Sequence, residues 1–90
     1  MKTVWLNSRK MISTKVAHHY LRQKLDLPEY YGGNLDALWD VLSTVSEPLQ
    51  INLLFRDQLE KNLGRYGIDL IQVFQDAAKG NSNLCFRILV

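Results

Sequence analysis

The sequence predicts an α/β fold, a small three-stranded parallel sheet packed with about four helices. Two observations carry this expectation. Short apolar, β-prone runs stand at residues 3–6, 49–55 and 84–90, and the stretches between them repeat apolar residues at helical spacing. Strands separated by helices need crossover connections, which is how parallel strands are joined. Ninety residues suit one domain spanning 1–90, with a small but sufficient core.

The elements follow in order. Thr3-Val4-Trp5-Leu6 opens the first strand, and the polar Asn7 to Lys10 reads as a loop. Ser13 or Thr14 can cap a helix whose apolar positions, Val16, Ala17, Tyr20, Leu21 and Leu25, line one face. Pro28 stops it. Gly32-Gly33 permits a tight turn or a positive φ, and Asn34 then fits a helix N-cap. In the helix that follows, Leu35, Leu38, Val41 and Leu42 form the core stripe, while Asp36, Trp39, Asp40 and Ser43 fall on the other side. It fades in Ser43-Thr44-Val45-Ser46-Glu47-Pro48. Leu49 to Phe55, apolar but for Gln50 and Asn52, is the second strand. Asp57 to Leu63 forms a short helix, and Gly64 and Gly67 bracket a turn. Ile68 to Ala78 carries apolar residues at 70, 71, 74, 77 and 78, a helical face. Gly80-Asn81-Ser82-Asn83 is turn chemistry, and Leu84 to Val90 is the last strand, completing a sheet covered by helices.

Several function classes drop out on composition. No apolar run approaches the roughly 20 residues of a membrane helix, and the apolar part of the N-terminus, Val4 to Leu6, is too short for a signal peptide. The expected location is the cytoplasm, with no membrane partner. The one cysteine, Cys85, has no disulfide partner and reads as a small buried hydrophobe. His18 and His19 point about 100° apart on a helix, so they are no metal pair and fit a solvated or half-buried role. There is no glycine-rich phosphate loop, nucleophile elbow or metal-ligand cluster, and no cofactor is expected.

Charge is divided along the chain. The net charge is +2, yet Leu25–Phe55 holds five acids (Asp26, Glu29, Asp36, Asp40 and Glu47) and no Lys or Arg. Within that segment LPEYYGGNLDALWDVL, residues 27–42, gathers three aromatics and three acids around a glycine turn and a helix start. Such a patch repels nucleic acid and suits a basic protein surface. Asp36 and Asp40 are one turn apart, a like-charge spacing that costs a helix a few tenths of a kcal/mol. The helix dipole favours Asp36 but helps Asp40 less. An exposed Trp beside an unhelpful carboxylate breaks local rules, as expected where function overrides stability.

The motif LPEYYGGNLDALWD resembles the signature of the barstar family, inhibitors of barnase-type ribonucleases. Leu42, Pro48-Leu49 and LIQVFQDA (residues 70–77) match in order and spacing, so the likeness spans most of the chain. It implies a barstar-like fold and no enzymatic activity. The partner implied is a secreted or toxin ribonuclease with a cationic active site, bound one-to-one by a monomeric inhibitor. The residues implied at that interface are Tyr30, Tyr31, Asn34, Leu35, Asp36, Trp39, Asp40, Ser43, Thr44 and Asp76. Asp40 would occupy the phosphate site, Tyr30 would pack on the catalytic His, and Asp36 would meet an arginine of the guanine side, bordered by Trp39 and Asn34. Asp76 matches a Glu that adds a further acidic contact. The resemblance also implies a cis peptide before Pro48.

Departures mark the edges of the match. The family's founding member is strongly acidic, whereas this chain carries +2; Gly33 replaces an acid, and Asp76 is one methylene short of its Glu. Ser43-Thr44-Val45-Ser46 lacks the Gly and Trp of the rim, and Lys79-Gly80 stands where a further acid is expected. Three other readings are weighed. A hydrolase with Asp36 and Asp40 as a carboxylate pair lacks a nearby His or Lys partner. A nucleic-acid binder lacks clustered bases, Arg9-Lys10 being the longest basic run. An interaction module that lost or redirected ribonuclease inhibition fits the rewritten rim.

Overall fold

The structure, a computed structural model, describes residues 1–89. Three strands, β1 (Lys2–Asn7), β2 (Leu49–Leu54) and β3 (Leu84–Ile88), form one parallel sheet in the order β1-β2-β3. The helices are α1 (Thr14–Lys24), α2 (Leu35–Ser43), α3 (Arg56–Leu63) and α4 (Arg65–Gly80). The expected fold class is therefore the observed one. Asn7 to Lys10, expected as a loop, includes a single 3-10 turn over Ser8–Lys10, with Asn7 capping it. Leu89 leaves the strand but its N–H still donates to the Leu53 carbonyl (3.0 Å); Val90, expected in the last strand, lies outside the described residues.

A strand order of 1-2-3 advances in one direction, so two crossovers of the usual right hand bring both helix pairs to the same face. Burial agrees. Val4, Leu6, Ile51, Leu53 and Leu84 point into the core with Leu21, Leu38, Leu42, Leu59, Leu70 and Phe74, and Phe86 stacks on Phe74. Side chains alternate along a strand, so the other face carries Thr3, Trp5, Gln50, Asn52, Cys85 and Arg87. Thr3, Trp5 and Arg87 there are exposed. Helices thus cover the sheet on one face, and one expectation is corrected: Cys85 is half-buried on the open face instead of fully buried. Gln50 and Asn52, the polar interruptions in an apolar strand, were the sign of that open face; they hydrogen-bond to each other (3.0 Å).

Two further expectations are corrected. Gly67 N–H does bond back to the Gly64 carbonyl (3.0 Å), but the turn so closed is the first of α4, where a Gly67 Cβ would stand 2.7 Å from the Leu59 carbonyl oxygen. The glycine lets α3 and α4 approach, and Gly64, with φ of +61°, alone makes the bend between them. The Glu47–Pro48 bond is trans, as are all peptide bonds among the described residues. Trans is the lower-energy isomer unless the context selects cis. Here the Pro48 carbonyl accepts from Lys2 N–H (3.4 Å) at the start of the sheet.

Candidate protein-recognition site

The loop before α2 is fixed by local bonds. Leu27 N–H donates to the Arg22 carbonyl (2.9 Å) and Tyr31 N–H to that of Pro28 (3.0 Å), closing a turn over residues 28–31. Within that turn the adjacent tyrosines part ways. Tyr30 points out, 89% exposed, while Tyr31 turns inward and packs on the core. Gly33 then takes φ of +68°, which an L side chain adopts only under strain. Asn34 caps α2 as expected, its Oδ1 accepting from Ala37 N–H (2.8 Å).

Helix α2 is anchored along one side and bare along the other. Leu38 and Leu42 are buried and Leu35 is half-buried against the core; Val41, expected in the same stripe, is half-buried. Asp36, Asp40 and Ser43 are exposed, and Trp39 retains 41% of its surface. Among the described residues neither Asp36 nor Asp40 has an ion-pair partner; the one ion pair is Arg65–Asp69. The far end of α2 is held in two ways. Thr44 Oγ1 donates to the carbonyls of Val41 (3.0 Å) and Asp40 (3.2 Å). Asn81 Nδ2 reaches from the end of α4 to the Leu42 (3.1 Å) and Val45 (3.0 Å) carbonyls, and Asn83 Nδ2 also reaches Val45 (3.3 Å). These bonds satisfy carbonyls that a helix end leaves orphaned. Asp76 is exposed on α4, the helix α2 packs along, and accepts from Gln72 Nε2 (2.8 Å).

The structure thus sorts the sequence-derived set. Tyr30, Asn34, Asp36, Trp39, Asp40, Ser43 and Thr44 are accessible along one continuous loop and helix. Tyr31 and Leu35 serve chiefly as its internal supports. Asp76 stands on a different helix.

Sequence reasoning missed the group beneath the loop. His18 is 4% exposed, not solvated, and its ring nitrogens contact two phenols: Nδ1 to Tyr31 Oη and Nε2 to Tyr66 Oη, each 2.6 Å. A sign of this was present, since His18 lies three and seven residues before Leu21 and Leu25, on the inward face of α1. Val16, assigned to that face, is exposed instead. Burial holds the His18 pKa below the ordinary imidazole value. Burial, and then the neighbouring Tyr66, raise the Tyr31 pKa, and burial raises that of Tyr66. A groove of about 320 Å³ opens beside His18, lined by Lys15, His19, Arg22, Tyr31 and the two glycines. Among the described residues no group of three or more His, Cys, Asp or Glu could hold a metal ion. No helix there is long and apolar enough to cross a membrane.

Comparison with known proteins gives this arrangement a family. YrdF of Bacillus subtilis (strain 168), whose name assigns it provisionally to the ribonuclease inhibitors, is 40% identical over 78 residues, 86% of either chain. The family model described as barstar, barnase inhibitor, matches residues 1–90. With the α/β architecture and the exposed loop–helix motif in place, the chain belongs to the barstar family.

Proposed function

We propose that this chain inhibits a barnase-like ribonuclease by lodging the 28–34 loop and α2 in the enzyme's active site. The observation that carries the reading is Asp40: an exposed carboxylate without an ion-pair partner among the described residues, on a helix tied at both ends, between Trp39 and Thr44 and one turn from Asp36. A ribonuclease must neutralise a phosphodiester, so its cleft presents Arg, Lys or His. A carboxylate placed among them replaces the phosphate and forms charge-assisted hydrogen bonds. Catalysis stops by occupancy, and the inhibitor performs no chemistry of its own.

The neighbours have matching parts. Tyr30, almost wholly exposed, packs on the enzyme's catalytic His and seals the cleft. Asp36 engages an arginine of the guanine side, with Trp39 and Asn34 along its border. Ser43, Thr44 and Asp76 form the rim. Tyrosine and tryptophan suit such a centre because they bury much area at low entropy cost. In this reading the protein is a cytoplasmic, antitoxin-like monomer that binds a secreted or toxin ribonuclease one-to-one.

A second reading keeps the same surface but redirects it to a different, less basic enzyme. It is favoured by the net charge of +2 and by Gly33, which leaves uncharged a position where the family motif has an acid. The test is co-expression with secreted ribonucleases of the barnase type that kill their host. Rescue by the wild type but not by Asp40→Ala is expected. Equal rescue by both would remove Asp40 from the centre, and no rescue by either would favour the redirected module.

A further inference from the structure

The contact between His18 and two phenols joins three parts of the chain that are far apart in sequence. His18 lies on α1, Tyr31 in the recognition loop, and Tyr66 in the first turn of α4. Neighbouring backbone bonds in the loop are all local, from Leu27 to Arg22 and from Tyr31 to Pro28. The first ties the start of the loop to the end of α1 and the second closes the turn; among the described residues no backbone bond joins residues 28–33 to another element. The Tyr31 hydroxyl supplies a side-chain fastening, and Tyr30 is the next residue along.

A neutral imidazole has one N–H donor and one acceptor nitrogen. Bonded to two hydroxyls, it therefore donates to one phenol and accepts from the other. Protonation turns both nitrogens into donors, and the phenol that had donated must turn its own proton away. The charge would also sit in a site with no anion to meet it. From α1, Lys15, His19 and Arg22 line the adjoining groove; the loop contributes Tyr31 and two glycines, and α4 contributes Tyr66. No carboxylate is among them.

We propose that His18 is the positioning residue of the recognition loop, holding Tyr31 so that Tyr30 is presented for binding, and that protonating His18 loosens the loop and weakens the grip on the ribonuclease. This rests on the inhibitor reading above only for its final step. The position of the loop is a property of the free protein.

The sign of the pH dependence follows from the His18 environment. Burial lowers its pKa, so below pH 6.5 the unfolded chain takes up a proton more readily than the folded one. Stability conferred by neutral His18 is complete above that pH and declines as pH falls toward the folded-state pKa.

The experiment has two arms. In the first, NMR follows the His18 ring and the backbone amides of residues 29–33 in the free protein between pH 4 and 8. The amides are expected to shift with the midpoint of His18, which burial places below the ordinary imidazole value. In His18→Gln, which keeps hydrogen-bonding groups but cannot titrate, they are expected to lose that midpoint. Amides indifferent to the His18 midpoint would overturn the proposal. Should His18→Gln fold poorly, Tyr66→Phe replaces it: removing one phenol is expected to raise amide exchange at residues 29–33 several-fold, and unchanged exchange counts against the latch.

In the second arm, inhibition of a barnase-type ribonuclease is measured for wild type and for the folded variant from pH 5.5 to 8. The ratio of the two inhibition constants cancels the titration of the enzyme's own groups. Wild type is expected to weaken with acid relative to His18→Gln, by at most about tenfold per pH unit, the limit for one linked proton. A flat ratio overturns the coupling to binding. Absence of inhibition by any form bears on the inhibitor reading alone, and the first arm still decides the latch.

Discussion

Helices α2 and α4 pack along each other and contribute neighbouring stripes to one core, yet their outer faces are built on opposite rules. On α4, Arg65 pairs with Asp69 (3.1 Å) and Gln72 with Asp76 (2.8 Å), each bond at i, i+4 spacing that supports the helix. On α2, Asp36 and Asp40 occupy the same spacing with like charge and no ion-pair partner among the described residues, around a Trp that keeps 41% of its surface. One helix resolves its polar groups internally. The other leaves them open, and relies on Asn34, Thr44, Asn81 and Asn83 for support at its ends. That open face is the one the proposed inhibitor reading assigns to a partner.

The comparison breaks if α2's outer face proves structural. The largest expected effect is on binding. Asp40→Ala should cost about 2–5 kcal/mol of ribonuclease affinity, the range for truncating one member of a charge pair buried at an interface. Its folding stability should stay within about 0.5 kcal/mol of wild type, with a gain on relief of the Asp36 repulsion as the expected direction. Titration calorimetry and urea unfolding read the two quantities separately. A large stability loss in Asp40→Ala would end the contrast with α4.

Gly67→Ala probes the opposite helix. The added Cβ meets Leu59 backbone, which cannot rotate away, so about 1–3 kcal/mol of stability should be lost. The thermal midpoint should fall, with affinity preserved wherever the protein remains folded. Asn34→Ala removes the cap that starts α2 and should destabilise by ~1 kcal/mol in urea unfolding. It should weaken binding as well, because the cap supports the recognition helix. The smallest effect is reserved for Arg65→Ala. Its ion pair is exposed, with Arg65 at 84%, so the change should fall below about 1 kcal/mol and shrink further in high salt.

Much of the fold was legible because the chain punctuates itself. Asn34 before Leu35 marks an N-cap, Gly32-Gly33 allows the positive φ that Gly33 takes, and the stripe at 70, 71, 74 and 77 marks α4, all found where expected. Gly67 was misread because glycine has two uses. A sequence shows that a side chain is missing, but not whether the reason is a backbone bend or, as here, the nearness of another helix. Pro48 was misread for a related reason: isomer preference at proline depends on the residue before it and on the strand it enters.

The candidate site divides in the same way. Its outer half, with Tyr30, Asp36, Trp39 and Asp40, was visible as a charge and aromatic anomaly inside one short segment. Its inner half was not. Tyr66 is 35 residues from Tyr31 and 48 from His18, so no local period links them.

The sequence by itself determined the order and type of the elements, the placement of acid on α2 and the membership of the inhibitor-like segment, because periodicity, capping and charge are properties of neighbouring residues. Tertiary structure alone decided that the helices share one face of the sheet, that Tyr31 turns in while Tyr30 turns out, and that His18 is buried between two phenols. Those outcomes depend on which distant surfaces meet, and burial and hydrogen-bond partners are set only when they do.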